Sequence, residues 1–82
     1  MRRCAYVYLL RCSDGTIYTG WTVDVERRVK THQQGRGARY TRARRPVILI
    51  YQERLPTRRA AMQRELKIKR MSRPRKLALA GM

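Results

Sequence analysis

The sequence predicts a small α+β domain: a three-stranded sheet, mixed or antiparallel, flanked by helices in the order β-β-α-β-α-α. Three observations predict it. Residues 4–12, CAYVYLLRC, and 16–21, TIYTGW, are two β-forming runs around the turn signature Ser13-Asp14-Gly15. Residues 47–53, VILIYQE, are a third apolar run of strand length. The remaining stretches carry helix caps and apolar residues four apart. Eighty-two residues hold one domain, 1–82, with one modest core.

Taken in order, the first two runs form a β-hairpin, because Asp14 tolerates and Gly15 freely adopts the left-handed turn conformation. In TVDVERRVKTHQQG, Thr22 or Asp24 caps a helix start and Gly35 suits its stop. Val25 and Val29 make its buried stripe, Glu26 pairs with Lys30, and Arg28 and His32 share a face at the stripe's edge. GRGARYTRARRP, 35–46, has five arginines and no apolar periodicity, and reads as a basic loop. Residues 47–53 make a mostly buried strand. Thr57 caps the next helix behind Pro56, with Ala61, Met62, Leu66 and Ile68 as its apolar side. Ser72 and Pro74 mark a restart, and RKLALAGM is a last short helix.

Hydrophobic residues make up 43%, enough for a packed domain rather than a disordered tail. Lys and Arg number 21 against 5 Asp and Glu, a formal charge of +16. That excess repels itself in a compact chain and points to a polyanionic partner, nucleic acid ahead of an anionic membrane. It also opposes close self-association, so a monomer is expected. No apolar run approaches the ~20 residues of a spanning helix, and no signal-peptide core opens the chain. The expectation is a cytoplasmic protein with no membrane partner. Cys4 and Cys12 match no zinc spacing; on one strand rising ~3.3 Å per residue they lie beyond bridging distance, and both read as small buried or edge hydrophobes.

Few side chains here suggest chemistry, and each has a plain reading beside a functional one. Asp14 serves the turn, Asp24 a cap, Glu26 an ion pair, and Glu53 ends a strand. Glu65 lies mid-helix among Arg58, Arg59, Arg64, Lys67, Lys69 and Arg70. Helix geometry favours a surface pair with Lys69, contributing ~0.3–0.5 kcal/mol. The other reading is a lone carboxylate for Mg²⁺, which takes one or two protein carboxylates together with waters and phosphate oxygens. His32, the only histidine, is either a packing residue or, with Arg28 one turn away, part of a phosphate grip. Tyr6, Tyr8 and Tyr18 are individually ordinary strand aromatics. Arg36, Arg39, Arg42, Arg44 and Arg45 are dense enough to make phosphate contact the favoured role.

Spacing joins these signals. Tyr6-Val7-Tyr8, then Tyr18-Thr19-Gly20, then Arg28, then His32 four further on, then an isolated Glu on a later helix, resemble the GIY-YIG nuclease family in order and interval. The blocks YTGWTVDVERRVKTH, GARYTRARRPV and AAMQRELKIK resemble its small stand-alone members, and the resemblance runs from about Ala5 to Ser72. Tyr6-Val7-Tyr8 replaces Gly-Ile-Tyr and Tyr18-Thr19-Gly20 replaces Tyr-Ile-Gly, each keeping the tyrosine the family uses. The helix Asn of several larger members has no counterpart in KLALAGM.

The resemblance implies an endonuclease that uses Mg²⁺ or Mn²⁺ to hydrolyse DNA phosphodiester bonds, structure-preferring or nonspecific, in DNA repair or recombination. Carried over by position, Tyr8, Tyr18, Arg28 and His32 are the catalytic set and Glu65 binds the metal. Tyr8 is the implied general base, its phenol lowered from ~10 by Arg28 and the metal. Arg28 stabilises phosphate charge, Tyr18 orients the reactants and His32 shares the proton work. Arg36, Arg39, Arg42, Arg44 and Arg45 hold the nucleic-acid backbone, with Tyr40 against the same phosphate. The rival expectation is a nucleic-acid-binding module that keeps the fold with weak or no catalysis.

Overall fold

In the computed structural model, which describes residues 4–82, seven elements follow one another. They are β1 (Ala5–Arg11), β2 (Ile17–Thr22), α1 (Val25–Gln33), α2 (Arg39–Arg42), β3 (Ile48–Leu55), α3 (Arg58–Lys69) and α4 (Arg73–Leu79). The strands form one sheet in the order β2-β1-β3, antiparallel throughout. The α+β architecture is the expected one, and of the two sheet types expected it is the antiparallel.

Among the described residues β1 is the only internal strand, and this explains its nearly unbroken apolar run. Side chains alternate between the faces of a sheet. Ala5, Val7 and Leu9 join Ala61 and Ile68 of α3 in one buried cluster. Tyr8 and Leu10 join Cys12 and Val47 in a second, with Tyr18, Val29 and Leu49 packed against it. The second cluster includes the α1 side of the sheet, and the site develops there.

Local signals place the helices as their sequences require. Asp24, rather than Thr22, is the α1 cap and accepts from Arg27 N–H at 3.1 Å. Thr57 accepts from Ala60 N–H at 3.0 Å and Ser72 from Arg75 N–H at 3.4 Å. In the hairpin turn Asp14 Oδ1 accepts from Thr16 N–H, and Gly15 sits at φ +85°.

Four expectations need correction. The basic stretch 35–46 is not all loop, because Arg39–Arg42 make one helical turn in which the Ala38 carbonyl accepts from Thr41 and Arg42 N–H. One turn is too short to leave a periodic signal. β3 is half-exposed rather than mostly buried, because it pairs with β1 alone and forms the sheet's edge. Met62 and Leu66 are 49% and 53% exposed, whereas Ala61 and Ile68 carry the packing. Among the described residues the ion pairs are Asp14–Arg44, Glu53–Arg64 and Glu65–Lys69; Glu26 and Lys30 form none.

Both cysteines are free. Cys12 is buried, and burial pushes its thiol up. Cys4 is half-buried and its Sγ accepts from Arg54 Nε and Nη2. No described helix is long and apolar enough to cross a membrane.

Candidate active site

The β1–β2 register sets Tyr8 opposite Gly20 and Leu10 opposite Tyr18. Tyr8, Tyr18 and Gly20 therefore share a face. A Cβ at position 20 would lie 2.5 Å from Tyr8 Oη and 2.6 Å from its Cζ, so the glycine makes room for the phenol to fold across its partner strand. The Tyr8 and Tyr18 rings are 6.3 Å apart, and both meet the His32 ring edge-on, at 5.8 and 5.2 Å.

His32 and Arg28 reach this face from α1, one turn apart. His32 is fully buried, not at the edge of the valine stripe. Its Nε2 lies 2.8 Å from Tyr8 Oη and its Nδ1 2.8 Å from Thr41 Oγ1. The Thr41 hydroxyl donates to the Ala38 carbonyl at 3.0 Å, so toward His32 it can only accept. Nδ1 therefore carries the imidazole proton, Nε2 offers a lone pair, and the Tyr8 hydroxyl donates to it. Tyr8 Oη in turn accepts from Arg28 Nε at 3.4 Å. The result is a directed chain from Arg28 through Tyr8 and His32 to Thr41.

Burial governs the titration of this chain. His32 is pushed down to about 4 by burial and then by the Arg28 charge, so it is neutral at pH 7. Tyr8 is pushed up to about 12. Burial outweighs the hydrogen bond and charge of Arg28, and the charges of Tyr18 and Glu65 add to the rise. Burial likewise raises Tyr18.

Glu65 is not on the open surface of α3. It lies between Ala61 and Ile68 at helical spacing, on the side that packs toward the sheet, and its side chain is 16% exposed. Its ion pair with Lys69 is long, at 4.0 Å. Its charge contributes to the rise of both Tyr8 and Tyr18. Among the described residues no three His, Cys, Asp or Glu side chains cluster as a metal cage. The donor set is one hard carboxylate, which fits a Mg²⁺-type ion completed by waters and substrate phosphate.

The basic segment divides in two. Arg39 and Arg42 are exposed, and among the described residues no side-chain hydrogen bond or ion pair engages the guanidinium of either. Arg36 bonds Gln34 at 2.6 Å, and Arg45 donates to the Arg42 and Gln33 carbonyls. Arg44 is tied down. Its Nε donates to Asp14 at 2.9 Å, its Nη1 to the Tyr40 carbonyl at 2.8 Å, and its guanidinium lies 4.0 Å over the Tyr40 ring. Tyr40 stacks on Tyr18, centroids 6.0 Å apart, and so connects α2 to the tyrosine face. Two members of the site carry no sequence signal of their role: Thr41, which fixes the His32 tautomer, and Gly37, where any Cβ would strike the His32 ring.

Known proteins resemble this chain over nearly its full length. It is 54% identical over 78 residues to a UPF0213 protein of Streptococcus sanguinis, covering 95% of this chain and 90% of that one. It is 56% identical over 76 residues to a UPF0213 protein of Natronomonas pharaonis, covering 93% of this chain and 89% of that one. The solution NMR structure of a UPF0213 protein from Bacillus halodurans superposes with TM-score 0.60 at 45% identity, over 95% of this chain and 83% of that one. A sequence profile described as the GIY-YIG catalytic domain matches residues 4–78. That span takes in both tyrosines, the α1 pair and Glu65, and the chain belongs to the GIY-YIG family of nucleases.

Proposed function

We propose that this protein is an endonuclease dependent on Mg²⁺ or Mn²⁺ that hydrolyses DNA phosphodiester bonds in repair or recombination. The observation that carries this reading is the buried Tyr8–His32 hydrogen bond, with Arg28 at its open end. Hydrolysis needs an in-line water, a path for its proton and countercharge for the phosphorane. Tyr8 Oη takes the water's proton as its own passes to His32 Nε2, so no free phenolate has to exist near neutral pH. Thr41 holds the imidazole in the tautomer that receives that proton. Arg28 stands against the developing phosphate charge, and a bound phosphate offsets the positive charge that disfavours protonated His32. Tyr18 orients the phosphate, and Arg39 and Arg42 hold the flanking backbone. Glu65 would hold the metal. When bound, a divalent ion supplies polarisation of the phosphoryl oxygen and countercharge for the leaving alkoxide.

The test is cleavage of labelled branched, flapped, duplex and single-stranded DNA with Mg²⁺ or Mn²⁺, wild type beside Glu65→Ala. The expected result is metal-dependent cutting that the variant loses while it keeps DNA binding, since removing a negative charge from so basic a protein does not weaken its attraction for phosphate. Salt-sensitive binding with no cutting by either protein would leave a nucleic-acid-binding module instead.

A further inference from the structure

Beside Arg28 lies a recess of about 250 Å³ lined by Trp21, Thr22, Val23, Arg28 and Arg58. It forms where the end of β2, the entry to α1 and the first residue of α3 converge. Trp21 packs against the core cluster that includes Val7 and Leu9, yet the indole is only half-buried and contributes to the recess wall. Val23 is 44% exposed, and Arg58 is exposed. Asp24, the nearest acid in sequence, spends its carboxylate on capping α1. The recess thus offers one aromatic surface, one aliphatic side chain and two guanidinium groups. It falls short of the ~300–1,000 Å³ of pockets that enclose whole drug-sized ligands, and suits a single base.

We infer that this recess binds one unpaired nucleotide next to the cleaved phosphate, its base against Trp21 and its phosphate on Arg58. The inference rests on the proposed nuclease reading and adds to it a preferred substrate. A base inside a continuous duplex is stacked on its neighbours and cannot also cover the indole, whereas a base in a single strand, flap or branch can. Stacking on an aromatic side chain tolerates any base, because each has a π-face. Arg28 belongs to both places, so a nucleotide seated in the recess puts its neighbouring phosphate beside Tyr8. The preference for DNA structure then comes from an unpaired base and not from sequence.

Trp21 is the only tryptophan in the chain, so its emission reports the recess directly. The protein is titrated in EDTA, which prevents cleavage, with end-labelled oligothymidylate, with a blunt duplex and with inorganic polyphosphate, reading label anisotropy and tryptophan emission. Oligothymidylate should quench Trp21 as it binds, whereas duplex and polyphosphate should bind with emission unchanged. Arg58→Ala, an exposed change that spares the core, should weaken oligothymidylate binding by roughly tenfold or less and reduce the salt slope by about one. Binding of oligothymidylate without quenching, or equal quenching by polyphosphate, would overturn the recess while leaving the nuclease reading intact. No binding of any DNA would remove the function reading itself.

Discussion

One methyl group added at Gly20 would occupy the space of the Tyr8 phenol. Gly20 has no positive φ, so Gly20→Ala acts through that clash alone, and overpacking of this kind costs ~1–3 kcal/mol. The expected outcome is a lower urea midpoint, together with loss of cleavage beyond the loss of folded protein, because Tyr8 can no longer meet His32. His32 makes a second prediction at this scale. Its unfolded value is near 6.5 and its folded value about 4, so below pH 6.5 the unfolded chain takes up a proton that the folded chain refuses. This contribution to stability is complete above pH 6.5 and is lost as pH falls toward 4, roughly 3 kcal/mol over the window. Urea melts of wild type and His32→Gln across that range should show a shallower pH dependence in the variant.

At the scale of elements, α2 was the part the sequence could not disclose. Hairpin, helix caps and strand runs are local signals, so β1, β2, α1 and α3 were legible, as were the spacings of Tyr8, Tyr18, Arg28, His32 and Glu65. The fixing of His32 by Thr41 depends on a turn closing over α1 from nine residues away, and no local pattern encodes that approach. The exposure of Met62 and Leu66 was hidden for a similar reason, since α3 turns Ala61 and Ile68 to the sheet and composition does not state the angle. The same turn separates the arginines by role. Arg39→Ala and Arg42→Ala should each reduce the salt slope of DNA binding by about one. Arg44→Ala should leave that slope unchanged and lower cleavage, because its guanidinium holds α2 to Asp14 and Tyr40. Its effect on thermal stability should be small, as an exposed ion pair contributes ~0–1 kcal/mol.

Across the whole molecule, the charge of +16 is a standing cost in the absence of a polyanion. Lys76 concentrates it: the side chain is buried on α4, and burial followed by the charge of Lys69 pushes its ammonium down. Lys76→Met should therefore raise stability by ~0.5–2 kcal/mol, the usual gain from relieving such a site, and a thermal melt at fixed salt checks it. The sequence announced the excess of charge plainly but not which cation had been buried, because burial follows from how α4 packs. The sheet order has a consequence of a different kind. Tyr8 stands on β1, which is bonded on both sides, whereas Tyr40 and Glu65 stand on helices at the periphery. Local opening is cheapest at a periphery and dearest at a doubly bonded strand. Opening at the single turn of α2 would therefore release Tyr40 and Thr41 before it disturbs the strand that carries Tyr8, the residue proposed to take the water's proton.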